Sequence, residues 1–523
     1  MNAFSRGKIA DLLHAVKPPR VVEVPEASRI TVHAAVSRFS MLYEKVRNAI
    51  DYKDDHLLRK AAIVRILKRQ LVLETDADTI GQQVVREMIA ARYLPNGVLP
   101  ESLYQEVACL VKKYQALKHA NVGSEKHERW ILGVVASEIE ESLNHHEQEK
   151  AFVHFLYEQI ADRITVRGWE LDESTRRLQI YIAVLRSLTK ADEEMLAYKL
   201  VRTFQPAWLQ PERWIDDAYG MAQAMVKTHK DIQETLNHSL SQKFLQAVKP
   251  WAISLTILRD ALQERVEDAP KLLDHSEELF VMVERIAERR YKESRDKLRR
   301  GTIRAIIYLF ITKMVFAMAI EIPFELLFYR EVHMLGLIVN ITFPPFLMLL
   351  VGSMIRLPGK DNVNKIKKGV EELLSIDGPK GFEIRVASSR KGLGGFMFSV
   401  VYALTFLLTF GLIYGMLHSL SFTWVSSVIF IFFLCIVSFF AFRLRMSARE
   451  YVVVSRAERF STALMDFFSL PILRAGQWLS RSISRVNIFI FLFDFIIEAP
   501  FKIFLNVMEE WFAYMKEKRE ELQ

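Results

Sequence analysis

From residue 392 to residue 442 the chain runs for 51 positions without an Asp, Glu, Lys or Arg. A bilayer core takes about 20 apolar residues per helix. The run therefore predicts two spans, residues 396–417 and 423–442, joined by the uncharged HSLSF, which is long enough only for a tight hairpin outside the hydrocarbon. Upstream, residues 332–355 form a run of 24 without a charge, interrupted by Pro344 and Pro345. Two prolines remove two helical donors, so a kinked or broken helix is expected there.

The segment 303–328 has the length of a fourth span but carries Lys313, Glu321 and Glu325. Each central charge costs about 2.5–3.5 kcal/mol on insertion scales, so such residues are normally paired, in a polar cavity or near the interface. Only residues 329–332 separate this segment from the next, which makes the two a hairpin. Reflecting the hairpin about residues 330 and 331 sets Glu321 level with Asn340 and predicts a hydrogen bond between them. Lys313 precedes Glu321 by eight residues, about 12 Å along an ideal helix, so the two are not expected to meet. The partner expected for Lys313 is instead Asp494 or Glu498. Glu498 lies in, and Asp494 just before, an IEAPF segment (497–501) that shares its E-x-P-F core with IEIPF at 320–324, each proline freeing the carbonyl four residues earlier, at Ala319 and Ile496.

Residues 486–508 are very apolar, yet Asn487, Asp494, Glu498 and Lys502 recur at spacings of seven, four and four, on one narrow helical stripe. An amphipathic helix, in plane or partly inserted, fits this better than a fifth span. Arg474, Arg481 and Arg485 upstream suit an interface position.

Residues 26–300 follow a different pattern. Apolar positions recur at helical spacing, as in Leu178, Tyr181, Ile182, Leu185 and Leu188, with breaks at Pro95-Asn96-Gly97, Gly123, Gly168, Pro206, Pro211, Pro250 and Pro270. These breaks delimit about eight to eleven helices. Alternating patterns are confined to RVVEV at 20–24 and FEIRV at 382–386, each too short to make a sheet alone. Residues 271–300 hold neither Pro nor Gly, enough for a helix of about 45 Å.

The predicted fold is all-α. An N-terminal tail (1–25) leads into a multi-helix cytoplasmic domain (26–270) and a connecting helix (271–302). A polytopic membrane domain of four spans follows, with hairpins at 303–355 and 396–442 around a loop at 356–395. A C-terminal helical region (443–523) closes the chain.

Composition sharpens this division. Of the 35 phenylalanines, 7 lie in residues 1–302 and 28 beyond, and the net charge of +8 divides into −3 for residues 1–284 and +11 for 285–523. The basic excess sits on the membrane half, so nucleic acid is not an expected partner. Around the spans, residues 285–304, 356–395 and 443–459 carry twenty-three Lys and Arg, against Arg330 alone on the opposite loops. By the positive-inside rule, both termini and the 356–395 loop are expected on the cytoplasmic side of the cell membrane, with anionic lipids at the basic flanks. Cys109 and Cys435 suggest no disulfide framework, and residues 1–20 contain no apolar core long enough for a secretory signal.

Catalytic patterns are weak. His145, His146, Glu147, Glu149, His154 and Glu158 form the one His/carboxylate cluster. On a helix the pairs His145/Glu149 and His154/Glu158 fall on opposite faces, so a solvated helix is the better reading and no metal is assigned. There is no HExxH, CxxC, GxxxxGK[ST] or GxSxG, so neither a cofactor nor an enzymatic reaction is expected. Gly411 and Gly415 form a GxxxG motif, expected to serve packing within the chain. The remaining candidate site is the intramembrane polar set Lys313, Glu321, Glu325, Asn340, Asp494 and Glu498, read first as a network fixing helix packing. The functional expectation is a membrane-anchored scaffold or adaptor whose residues 26–300 bind a protein partner. The alternative is a small-solute or ion transporter that uses the polar set.

Overall fold

The structure, a computed structural model, describes residues 28–48, 54–144, 147–332, 334–354, 358–375, 378–386, 393–448, 450–453 and 460–485, with isolated positions near both ends. The chain forms two compact units: residues 1–252 with 373–384 and 489–523, and residues 253–372 with 385–488. The described chain is helical almost throughout.

In the first unit the helices are α1 (Ala34–Asn48), α2 (Asp55–Leu73), α3 (Ala77–Ala90), α4 (Ser102–His119), α5 (Glu125–Asn144), α6 (Glu147–Ile160), α7 (Glu173–Leu188), α8 (Glu193–Phe204) and α9 (Tyr219–Leu236), followed by α10 (Ser241–Glu264), which runs on past residue 252. Aspartates fix three of the helix starts. Asp76, Asp172 and Asp192 accept from the backbone N–H of Thr79, Thr175 and Met195, satisfying donors that a helical first turn leaves free. The core gathers on α5, where Ile131, Val134, Val135, Ala136 and Ile139 are buried. FEIRV yields the strand β2 (Phe382–Arg385), which pairs with β1 (Ile164–Arg167) in a two-stranded sheet; RVVEV lies outside the described residues.

The second unit contains a short helix α11 (Ala269–Asp274) and a 41-residue helix α12 (Ser276–Phe316). The connecting helix thus starts at Ser276, and Gly301 does not interrupt its passage into the apolar segment. A π-helical turn (Ala317–Glu321) leads on to α13 (Ile322–Phe328). Then come α14 (Met334–Met354), α15 (Lys360–Leu374), α16 (Leu393–Ser419), α17 (Trp424–Ala448) and α18 (Phe460–Arg485). Four helices are long and apolar enough to cross a membrane, Glu277–Phe328, Gly336–Ser353, Ser399–Ser419 and Trp424–Met446. They point to a membrane protein, and their exposed apolar side chains, such as Leu407, Leu412 and Met416, suit a lipid solvent.

Helices α12, α14 and α17 share a core of Ala305, Leu309, Met348, Val437 and Ala441. A second cluster joins Leu417 of α16 to Phe422, Phe430 and Leu434. Gly476 lets α18 lie close on α17, because a Cβ there would overlap the Cys435 carbonyl and approach Phe439 Cβ to 2.7 Å.

One expectation is narrowed here, and a second is not met among the described residues. The Pro344-Pro345 pair does not break its helix: α14 is continuous with both prolines inside. Within an apolar solvent, leaving the helix would strand more backbone groups than the two missing donors do. Among the described residues nothing packs on the GxxxG motif: a Cβ built on Gly411 or Gly415 meets nothing within 4 Å. The contacts of α16 run instead through Ile413 and Leu417. Ile413 is two residues from either glycine, about 200° around the helix.

Candidate functional site

Glu321 closes the π-helical turn at the middle of the first hairpin. On an uninterrupted α-helix, eight residues leave Lys313 and Glu321 about 80° apart in phase. A π-turn takes an extra residue into one turn, which is equivalent to a seven-residue step and reduces the offset to about 20°. Pro323 follows at once and donates no backbone hydrogen. The result overturns the expectation that the two residues do not meet: Lys313 Nζ donates to Glu321 Oε1 at 2.8 Å. Both side chains are wholly buried. The long lysine stem covers the remaining axial distance, and its ammonium lies 4.5 Å from the Phe433 ring centroid, a cation–π contact.

Asn340, on α14, donates through Nδ2 to the same Glu321 Oε1 at 2.7 Å and lies 3.4 Å from the Ser426 carbonyl. This contact lies where the reflected hairpin puts it. Two acceptor atoms in this set, Glu321 Oε2 and Asn340 Oδ1, are buried without a hydrogen-bond partner. Glu325, one turn beyond Glu321, is buried at the start of α17, where Ser426 Oγ donates to its Oε1 at 3.1 Å and Thr423 Oγ1 lies at 3.5 Å. Thr423 also caps α17, accepting from Ser426 N at 3.2 Å. Asp494 and Glu498 lie outside the described residues.

Lys313, Glu321, Glu325 and Asn340 are therefore gathered around the hairpin. Sequence reasoning missed Phe433, Thr423, Ser426 and the π-turn. The cluster of hydroxyls at 421–427 inside an otherwise greasy stretch was the available signal for the two hydroxyl donors. Nothing in the sequence marks a π-turn beyond the proline after Glu321.

The first unit holds a second group of buried charges. Glu138, Glu140 and Glu141 on α5 are all buried. Glu138 Oε1 accepts from Lys113 Nζ at 2.9 Å and its Oε2 from Trp208 Nε1 at 3.0 Å. Burial raises its carboxyl pKa, against the pull of Lys113 and Trp208. Glu140 receives Arg59 at 2.7 Å, and Glu141 pairs with Lys199 and with Lys150 at 3.1 Å. Nearby, His127 Nδ1 and His229 Nδ1 are 3.0 Å apart, with Trp130 stacked on His229 at 4.1 Å between centroids. Burial lowers both imidazole pKa values, that of His229 to about 4 with the His127 and Lys126 charges adding to the effect. Of the His/carboxylate cluster, His145 and His146 lie outside the described residues, and His154 pairs with Glu158 at 3.0 Å. Among the described residues no group of three or more His, Cys, Asp or Glu is placed to hold a metal.

No family model, no curated protein and no solved structure matches the chain.

Proposed function

We propose that the protein is a membrane-anchored scaffold whose helical domain binds a partner protein at the cytoplasmic face of the cell membrane. The observation that carries this reading is the braced helix that leaves the first span. Residues 276–302 of α12 continue the span outward for about 40 Å. They are tied over two central turns: Glu284 to Lys367 at 2.6 Å, Arg290 to Asp260 at 2.6 Å, and Tyr291 Oη to Asn362 Nδ2 at 2.6 Å. Asn362 in turn holds the chain after α17, donating to Tyr451 O at 2.8 Å and accepting from Val453 N at 2.7 Å. Such bracing favours a fixed outward platform over a loose tether. The Lys/Arg bias supports a cytoplasmic side for the domain, for the 356–395 loop and for residues after 442, with anionic lipids at the flanks. In this reading the Lys313–Glu321–Asn340 network locks the first hairpin.

The test is affinity purification of detergent-extracted chain after crosslinking in intact cells. A partner in stoichiometric amount is expected with the full chain and lost on deletion of residues 26–252. Recovery of the chain alone in both cases overturns the scaffold.

One observation favours a second reading, a proton or small-cation transporter: Glu321 Oε2 and Asn340 Oδ1 are buried with no donor among the described residues, in an apolar segment of the kind where ionisable residues mark ion pathways. Proton or monovalent-cation flux in proteoliposomes, abolished by Glu321→Gln, decides for it, and flux indistinguishable from empty vesicles decides against it.

A further inference from the structure

Where α12 enters the apolar segment it forms one wall of a cavity of about 640 Å³, closed on the other side by the end of α14. Arg295, Arg299, Thr302 and Ile306 line it at spacings of four, three and four, one stripe of the helix; Ile303 and Leu349 extend its apolar part beyond the arginines, and Leu298 and Pro358 also line it. The cavity is therefore graded. Its guanidinium end and its aliphatic end are separated by about 10 Å, the seven residues from Arg299 to Ile306. Among the described residues neither Arg295 nor Arg299 has an ion-pair partner, although the same helix pairs Arg285, Arg289 and Arg290 with carboxylates. Thr302 Oγ1 is buried and lacks a hydrogen-bond partner. Gly352 keeps the wall thin: a Cβ there would approach Thr302 Oγ1 to 3.1 Å and collide with its methyl group.

We propose that this groove is a specific binding site for an anionic phospholipid. Arg295 and Arg299 hold the phosphate, and Ile303, Ile306 and Leu349 cover the first acyl methylenes. Guanidinium groups suit a phosphate because their planar donors pair with two oxygens at once. The grading from charge to aliphatic side chains matches an amphiphile lying across the boundary of the hydrocarbon. A free phosphate ester would leave the apolar half unfilled. The proposal needs only the membrane location and is independent of the scaffold reading.

The test uses the full chain in mild detergent, stripped of lipid and titrated with phosphatidylglycerol, phosphatidylcholine or soluble glycerol phosphate, with binding read by native mass spectrometry. Phosphatidylglycerol is expected to bind as a discrete adduct, and Arg295→Gln/Arg299→Gln to weaken it by roughly 10- to 30-fold. The charge-matched pair Lys297→Gln/Arg300→Gln, outside the groove, is expected to change it less than about twofold. Equal losses in the two charge-matched variants, or none in the groove variant, overturn the site in favour of diffuse surface attraction. Glycerol phosphate competing as well as the lipid overturns the lipid assignment in favour of a free phosphate ester.

Discussion

In the helical unit Lys113 Nζ lies 2.9 Å from Glu138 Oε1 and 4.9 Å from the Trp208 ring centroid. In the membrane unit Lys313 Nζ lies 2.8 Å from Glu321 Oε1 and 4.5 Å from the Phe433 ring centroid. The third member differs. Trp208 donates to the second carboxylate oxygen of Glu138, whereas Asn340 donates to the oxygen that Lys313 already occupies, and Glu321 Oε2 has no donor. Both pairs face the same problem, removal of two charges from water, which attraction offsets only when the remaining lone pairs are also satisfied. The first network is complete within the protein. The second is complete as an ion pair and incomplete as a hydrogen-bond network, a lock with two acceptors, Glu321 Oε2 and Asn340 Oδ1, that no described residue satisfies.

Breaking the ion pair has the largest expected effect. Lys313→Met leaves a buried carboxylate without its cation and is expected to cost about 3–5 kcal/mol, visible as a lowered thermal unfolding temperature in detergent. Adding Glu321→Gln to that variant removes the orphan charge and is expected to recover most of the loss. A double variant no more stable than the single one contradicts the pair as the chief stabiliser of the hairpin.

Trp208→Phe keeps an aromatic ring over Lys113 but strips Glu138 Oε2 of its donor, giving the helical unit the defect that the membrane unit has by construction. A loss of about 1–3 kcal/mol is expected, read as faster amide exchange across Glu125–Asn144. No change in exchange shows that the second donor is dispensable and that the difference between the two networks carries no energy.

Acid separates the two units further. His127 and His229 are buried with lowered pKa values, so the unfolded chain takes up protons that the folded unit resists. Stability is fully present above the unfolded imidazole pKa near 6.5 and falls as the pH drops toward about 4, the value for His229. Amide exchange in α5 and α9 is expected to speed up over that window. His229→Phe is expected to flatten the dependence; an unchanged profile in that variant assigns the acid sensitivity elsewhere. The smallest effect is at the surface: Arg129→Ala breaks an exposed pair with Glu125 and is expected to change stability by less than about 0.5 kcal/mol.

The charge-free runs fixed three of the four apolar helices within a few residues, because length and hydropathy are local properties that a bilayer reads directly; the first, interrupted by Lys313, Glu321 and Glu325, runs on unbroken from Glu277. The Glu321–Asn340 contact was also legible, since a short turn makes a hairpin's two arms mirror one another. The Lys313–Glu321 bond was not legible. It depends on one extra residue in a helical turn, and ideal spacing fails where the backbone departs from 3.6 residues per turn. The GxxxG motif misled for a related reason: a small-residue face permits close approach but does not summon a neighbour to it. Glu138, Glu140 and Glu141, which sequence reasoning did not single out, are buried where cations from α2, α4, α6 and α8 converge on them. Pairing across such separations belongs to tertiary structure alone, because no local pattern of residue types records which distant side chain will neutralise a charge.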